Sequence, residues 1–342
     1  MKKQTLGALL LLLGTMIWGV AFVAQTSAAD VIGAFTFNAA RSLIAAILLT
    51  AILLVKEKTK TNRMEKTAAT GAATGAARKK AMKKSLFSGA ICGVALFAAV
   101  NFQQFGIETY PEGVSASGRA GFLTATYVVI VAAYTAIRRR KMHPLTAVSC
   151  VGCVAGMYLL CVHGGVSKIY LGDVLELLGA LSFAVQILII DKFSECDGIA
   201  MSCAQFWTVT LLSAICAAAF ETVRVSDLAV AWLPIAYAGV MSSCLGYTFQ
   251  ILGQKHVKPT VASMIMSLES VFAALAGWAI LKERLSPVEL LGCALVFASV
   301  ILSQLTQNEG EKKLTERTNE TDEPKNGEPT NGEPANGERT TK

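Results

Sequence analysis

Two ionisable residues, Arg41 and Glu269, stand deep inside long apolar segments, where a charge must be used or neutralised. At 1.5 Å rise per residue, each lies ~15 Å from the nearer end of its segment. A charge at that depth costs on the order of 3 kcal/mol unless it faces a cavity or a partner. A guanidinium binds a carboxylate bidentately, whereas a carboxylate can hold a cation or carry a proton. Polar and aromatic residues around them fall at helical spacing. Asn38 and Arg41 are three apart, Asn101, Gln104 and Glu108 three and four apart, Ser243, Tyr247 and Gln250 likewise, and Trp18, Phe22 and Gln25 form a similar stripe. Arg119 lies nearer a segment end, where its long stem can snorkel. Trp18, Tyr127 and Tyr247 would supply a stacking wall. The candidate substrate-binding set is therefore Arg41, Glu269, Asn38, Gln104, Asn101, Arg119, Tyr127, Tyr247, Gln250 and Trp18. A plainer account has the amides bonding between neighbouring helices and Arg41 pairing with Glu269 across the interface.

Enzyme chemistry has no footing. There is no nucleophile–base set and no Gly-rich phosphate loop, and Cys150-x-x-Cys153 has no second pair beside it. His143, His163 and His256 show no metal-ligand spacing. Neither a cofactor nor a metal is expected.

The elements that must position these residues are ten apolar segments, at about 5–25, 31–55, 85–107, 113–137, 144–163, 172–190, 199–220, 229–252, 260–281 and 286–304. Most are long enough for a hydrocarbon layer of ~30 Å. The chain is 53% hydrophobic and 16% charged, with mean hydropathy +0.51, where a soluble domain carries about 25% charged residues. The halves match internally: Leu6-Gly7 with Leu171-Gly172, Leu13-Gly14 with Leu178-Gly179, Gly93-Val94 with Gly239-Val240, and Pro144 and Cys150 with Pro287 and Cys293. An odd number of helices per half sends the second copy into the membrane from the opposite side, the arrangement of many transporters. The expected fold is an all-α membrane protein of ten transmembrane helices in two inverted five-helix repeats, 5–163 and 172–304.

The net charge of +7 is no nucleic-acid signature, because it is distributed by membrane side. Lys2, Lys3, the 56–84 stretch, Arg138-Arg139-Arg140-Lys141, Lys192, Lys255, Lys258 and the tail carry most Lys and Arg. That asymmetry places both termini in the cytoplasm. The first segment is too long for a signal-peptide core and is expected to remain as a helix. The 56–84 stretch reads as a basic cytoplasmic loop facing anionic lipid. Residues 305–342, with repeated Asn-Gly-Glu, have little to bury and read as a disordered tail.

Gly121-Phe122-Leu123-Thr124-Ala125-Thr126-Tyr127-Val128-Val129 carries a resemblance. So do Leu268-Glu269-Ser270-Val271-Phe272-Ala273-Ala274-Leu275-Ala276-Gly277-Trp278 with Lys282-Glu283-Arg284-Leu285-Ser286, and Trp18-Gly19 and Ala40-Arg41-Ser42-Leu43-Ile44. Over about 5–304 the chain resembles the drug/metabolite transporter superfamily, EamA type. The resemblance implies a ten-helix carrier of small metabolites in the cell membrane, often an exporter, with a central cavity between the repeats. Two features depart from the family pattern: Arg138-Arg139-Arg140 stands where a Glu-Arg pair would sit, and the fourth and ninth segments lack their mid-helix proline. With two arginines against one deep acid, the expected substrate is an amino acid or related carboxylated metabolite, exported in the direction the family favours, in a lipid bilayer and by alternating access. Export of cationic or amphipathic compounds by proton antiport on Glu269 is the alternative, and a non-transporting receptor or scaffold a further one. Oligomeric state is left open.

Overall fold

A computed structural model of the chain describes residues 2–29, 31–65, 71–111, 116–139, 144–161, 169–280 and 286–322. All regular structure among them is helical. In chain order the helices are α1 (Lys2–Ala29), α2 (Ala34–Glu65), α3 (Gly71–Glu108), α4 (Ala116–Ala125), α5 (Tyr127–Arg139), α6 (Pro144–Cys161), α7 (Leu171–Lys192) and α8 (Gly198–Phe220). They continue as α9 (Val225–Val230), α10 (Trp232–Tyr237), a π-helical segment Ala238–Gly246, α11 (Tyr247–Gln254), α12 (Pro259–Met266), α13 (Glu269–Ile280) and α14 (Pro287–Asp322). By length and apolar composition, 8 helices among the described residues can cross a membrane. Two shorter apolar helices, Pro144–Leu159 and Pro287–Ser303, accompany them. Large apolar side chains such as Leu54, Ile137, Val151 and Leu211 lie on the outside, as hydrocarbon contact requires.

The basic stretch 56–84 is not the loop its charge suggests. Its described parts extend α2 to Glu65 and begin α3 at Gly71, because Ala and Lys are strong helix formers once a helix is already nucleated. Arg78 of α3 bonds Glu57 of α2 at 3.0 Å through Nε. Lys56 bridges to Asp197 at 2.6 Å, and Asp197 in turn caps α8 through Ile199 N and Ala200 N. Similarly, the α14 backbone runs on as helix through 306–322, where composition alone suggests a disordered tail; residues 323–342 lie outside the described set.

Helix breaks fall in the fourth and ninth apolar segments although neither has a central proline. Between α4 and α5 the Thr126 hydroxyl donates to the Leu123 carbonyl. Between α12 and α13, Ser267 Oγ donates to Met264 O at 2.7 Å. Such back-bonding competes with the helical ladder and bends it. The eighth segment instead loosens into π-helix between α10 and α11.

Packing is dominated by α2 on α8, α3 against both α7 and α8, α6 on α14, and α1 against α13, α11 and the π segment. Glycines set the closest approaches, and those paired by sequence repeat make matching contacts. A Cβ on Gly7 would fall 2.8 Å from Gly253 O, and one on Gly172 2.8 Å from Gly106 O. One on Gly14 would lie 3.3 Å from Gly246 O, and one on Gly179 3.4 Å from Ala99 O.

Candidate substrate site

Where these helices converge they leave a cavity. Its lining is drawn from both halves of the chain, the first giving Trp18, Phe22 and Gln25 of α1, Arg41 of α2, Gln103 of α3, Thr124 of α4 and Tyr127 of α5. The second gives Phe183 and Ile187 of α7, Ser242 of the π segment, Tyr247 and Gln250 of α11, Met266 of α12 and Glu269 of α13. The space between the lining atoms is ≈ 470 Å³ with its mouth, but the centres of water-sized spheres reach only ≈ 30 Å³ of it. At about 10–15 Å³ per water centre, this conformation holds on the order of two or three waters. That space is too small for a metabolite.

Arg41 is 3% exposed. Its Nε donates to Asn38 Oδ1 at 2.8 Å, and the guanidinium lies 5.4 Å from the centroid of the Phe37 ring. Asn38 Nδ2 donates to Asn101 Oδ1 at 3.0 Å and to Val100 O at 3.2 Å. Asn101 Nδ2 donates onward to Phe97 O at 2.7 Å and to Ser213 Oγ at 3.4 Å. Helical spacing puts Asn38 one turn before Arg41, and the chain of amides reaches across α3 to α8. Neither Nη group of Arg41 bonds any described residue, leaving a fork of donors at the cavity wall.

Glu269 is 7% exposed and opens α13, where the free backbone N–H groups of a helix start favour a negative charge. Tyr127, the residue that opens α5, donates its hydroxyl to Glu269 Oε1 at 3.3 Å. The two helix breaks thus meet through the first side chain after each. Arg41 and Glu269 share the cavity without forming an ion pair, each being held by its own neighbour. Direct pairing, the plainer account above, is not what the geometry shows. The aromatic wall is Trp18 against Tyr247 at 4.8 Å between centroids, with Phe206 behind Tyr247 at 5.6 Å. Trp18 Nε1 also donates to Ser242 O at 3.3 Å. Gln250 and Gln186 exchange bonds at 2.9 and 3.2 Å.

Of the residues expected from sequence, Arg41, Glu269, Tyr127, Tyr247, Gln250 and Trp18 line the cavity. Asn38 and Asn101 do not; they support Arg41 from behind. Gln104 turns instead to Gln25 O at 3.4 Å. Arg119 belongs to the backbone of α4, and its side chain lies outside the described residues. The sequence reading passed over Gln103 and Thr124 at the wall and Glu176 behind it, and named Gln25 on a helical stripe without adding it to the candidate set. Thr124 Oγ1 accepts from Gln103 Nε2 at 3.2 Å and donates to Glu176 Oε2 at 2.7 Å. The signal available for Glu176 was an acid about one turn inside an apolar segment. Among the described residues, no group of three or more His, Cys, Asp or Glu side chains is arranged to hold a metal.

Apolar helices with apolar side chains on their outer faces, packed around a small cavity of mixed polar and apolar lining, are the build of a multi-pass membrane transporter, in keeping with residence in the cell membrane. The EamA-like transporter family matches residues 5–162 and 170–305, and the chain belongs to it. It is 27% identical over 307 residues to an uncharacterized transporter of Archaeoglobus fulgidus, covering 89% of this chain and 87% of that protein. A second uncharacterized transporter of that organism is 35% identical over 71 residues, 21% of this chain and 24% of the other. A solved crystal structure superposes with TM-score 0.68 at 15% identity, over 89% of this chain and 98% of that one. At such identity the likeness shows a shared fold alone.

Proposed function

We propose that this transporter carries an amino acid or related carboxylated metabolite by alternating access. The observation that carries the reading is the Arg41 guanidinium, buried at the cavity wall with both Nη groups unbonded to any described residue. A substrate carboxylate completes it bidentately. Glu269, across the same cavity and not paired with Arg41, suits the ammonium of a zwitterion, and the Trp18–Tyr247 wall suits an apolar side chain. Ten spans in two inverted repeats, 5–163 and 172–304, provide the moving parts, with both termini and the Lys56–Asp197 end in the cytoplasm. The matched glycine contacts support that symmetry: Gly7 with Gly172, and Gly14 with Gly179, each meet the backbone of the opposite half. The Lys/Arg distribution supports the orientation.

Counterflow into proteoliposomes tests it, using a panel of amino acids, carboxylates without an amine, and quaternary ammonium compounds. Exchange of amino acids is the expected result. Selective exchange of the quaternary ammonium compounds would overturn the reading and make Glu269 the principal binding group.

A further inference from the structure

Glu176 has no part in the site as described so far, yet it is 0% exposed on α7. Its Oε2 accepts from Thr124, while its Oε1 has no hydrogen-bond partner. Helix α3 presses so close behind it that a Cβ on Gly106 would fall 2.5 Å from Oε1. That leaves no room for the several further oxygens a metal cation gathers at about 2.0–2.6 Å. The groups facing it are Thr124 from α4 and Gln103 from α3, with Tyr127 of α5 and the like-charged Glu269 of α13 beyond them. On its own helix stands Asp173, which accepts from Tyr110 Oη at 2.9 Å and from Tyr170 N at 2.9 Å. No Lys or Arg among the described residues pairs with Glu176. A buried carboxylate without a cation is costly, and the one neutralising ligand small enough for this place is a proton.

We propose that Glu176 is a proton-binding site that sets, through Thr124, which end of the Gln103 amide faces the substrate cavity. With Glu176 ionised, the Thr124 hydroxyl donates to the carboxylate, and its oxygen accepts from Gln103 Nε2. One of the amide's two N–H groups is then consumed, and its carbonyl and remaining N–H are left for the cavity. When a proton from water binds Glu176, the acid O–H donates to Thr124 Oγ1. The threonine hydrogen turns to Gln103 and bonds Oε1, and the amide rotates to present Nε2 to the cavity. One proton is bound, and no other covalent bond changes.

The consequence rests, for its sign alone, on the carboxylate reading above. The protonated state adds an N–H donor to the cavity that Arg41 also lines and tightens binding of an anionic group by about 10-fold, the value of one charge-assisted bond. By linkage, substrate binding takes up a proton to the same degree. Proton and anion then travel together, the opposite sign to antiport on Glu269.

Infrared difference spectra of the purified full-length protein, titrated from acid to alkaline pH without substrate, provide the first test. A protonated-carboxyl band should titrate in the wild type, disappear in Glu176→Gln, move in Thr124→Val and survive in Glu269→Gln. Titrating bands unchanged by Glu176→Gln would overturn the proposal, as would a Glu176 band that stays constant at every pH. The second test uses the best carboxylated compound from the counterflow panel. Its affinity should rise about 10-fold toward acid pH in the wild type, stay tight at every pH in Glu176→Gln, and stay weak in Gln103→Leu. Unaltered pH dependence in Glu176→Gln would sink the idea. A panel that yields no carboxylated substrate fails the carrier reading, and the infrared result still decides Glu176.

Discussion

Arg41 sits on the unbroken helix α2, and its Nε is held by Asn38, itself held by Asn101, which reaches Ser213 of α8. Glu269 follows directly on a helix break, and its recorded bond is to Tyr127, which follows directly on another. The cation is thus built into a braced scaffold, the acid into a pair of hinge points. On the proposed alternating-access reading, a group fixed by an amide chain would keep its place as the walls part, while groups at the starts of α5 and α13 would move with those segments. That would give a division of labour, with Arg41 anchoring substrate and the Tyr127–Glu269 contact following which way the cavity is open.

The harshest test of the anchor is Arg41→Met. Truncating one partner of a buried charge pair costs about 2–5 kcal/mol, so affinity for a carboxylated substrate should fall at least about 30-fold by calorimetry. A loss of 2-fold or less would show that the fork of donors never meets substrate. Glu269→Gln should act more narrowly. Zwitterions should lose about 10-fold, while carboxylates lacking an amine should bind unchanged. Equal losses for both kinds of ligand would mean that Glu269 supports the fold rather than the ammonium.

Asn38→Ala probes the brace and not the contact. It leaves Arg41 Nε and Asn101 Oδ1 without their partner, so the guanidinium should wander. Affinity should drop by roughly 5-fold, and Asn38→Asp, which keeps an acceptor for Nε, should restore most of it. Rescue separates positioning of Arg41 from a general loss of packing, which Asp would not repair.

Much of this division was legible in the sequence. Asn38 and Arg41 at helical spacing were recognisable as one face, and the glycine matches between halves anticipated equivalent helix contacts. A stripe on one helix does not say which neighbour it meets. Asn101, Gln104 and Glu108 were read as one face of the third segment, with Asn101 and Gln104 as site candidates, but Gln103, about 100° around the helix, is the residue that reaches the cavity. Glu176 was missed because depth was reckoned for Arg41, Glu269 and Arg119 alone. The breaks at Thr126 and Ser267 lacked the proline that usually marks them, and a hydroxyl bonding back to its own helix leaves almost no trace in composition. The 56–84 stretch misled in the other direction: its charge suggested a loop, while its Ala and Lys content suits the helix that its described parts form.

Tyr127→Phe should have the smallest effect and bears most directly on the hinge side. It removes a single bond of 3.3 Å between the two broken helices while keeping the ring that packs on Phe183 at 6.4 Å. A hydroxyl–carboxylate bond that long lies beyond the usual range and sits at the low end in strength, about 0.5 kcal/mol. Substrate affinity at equilibrium should therefore change by no more than about 3-fold. If the contact helps to hold the constricted state, its loss lowers the barrier to opening, and exchange across proteoliposomes should quicken even as affinity stays level. The measurement is the ratio of counterflow rate to Kd in Tyr127→Phe against the wild type. A rise places the contact on the opening path. A fall in both rate and affinity would instead make Tyr127 part of the substrate's own binding surface, and the two sides of the cavity would then be equally fixed.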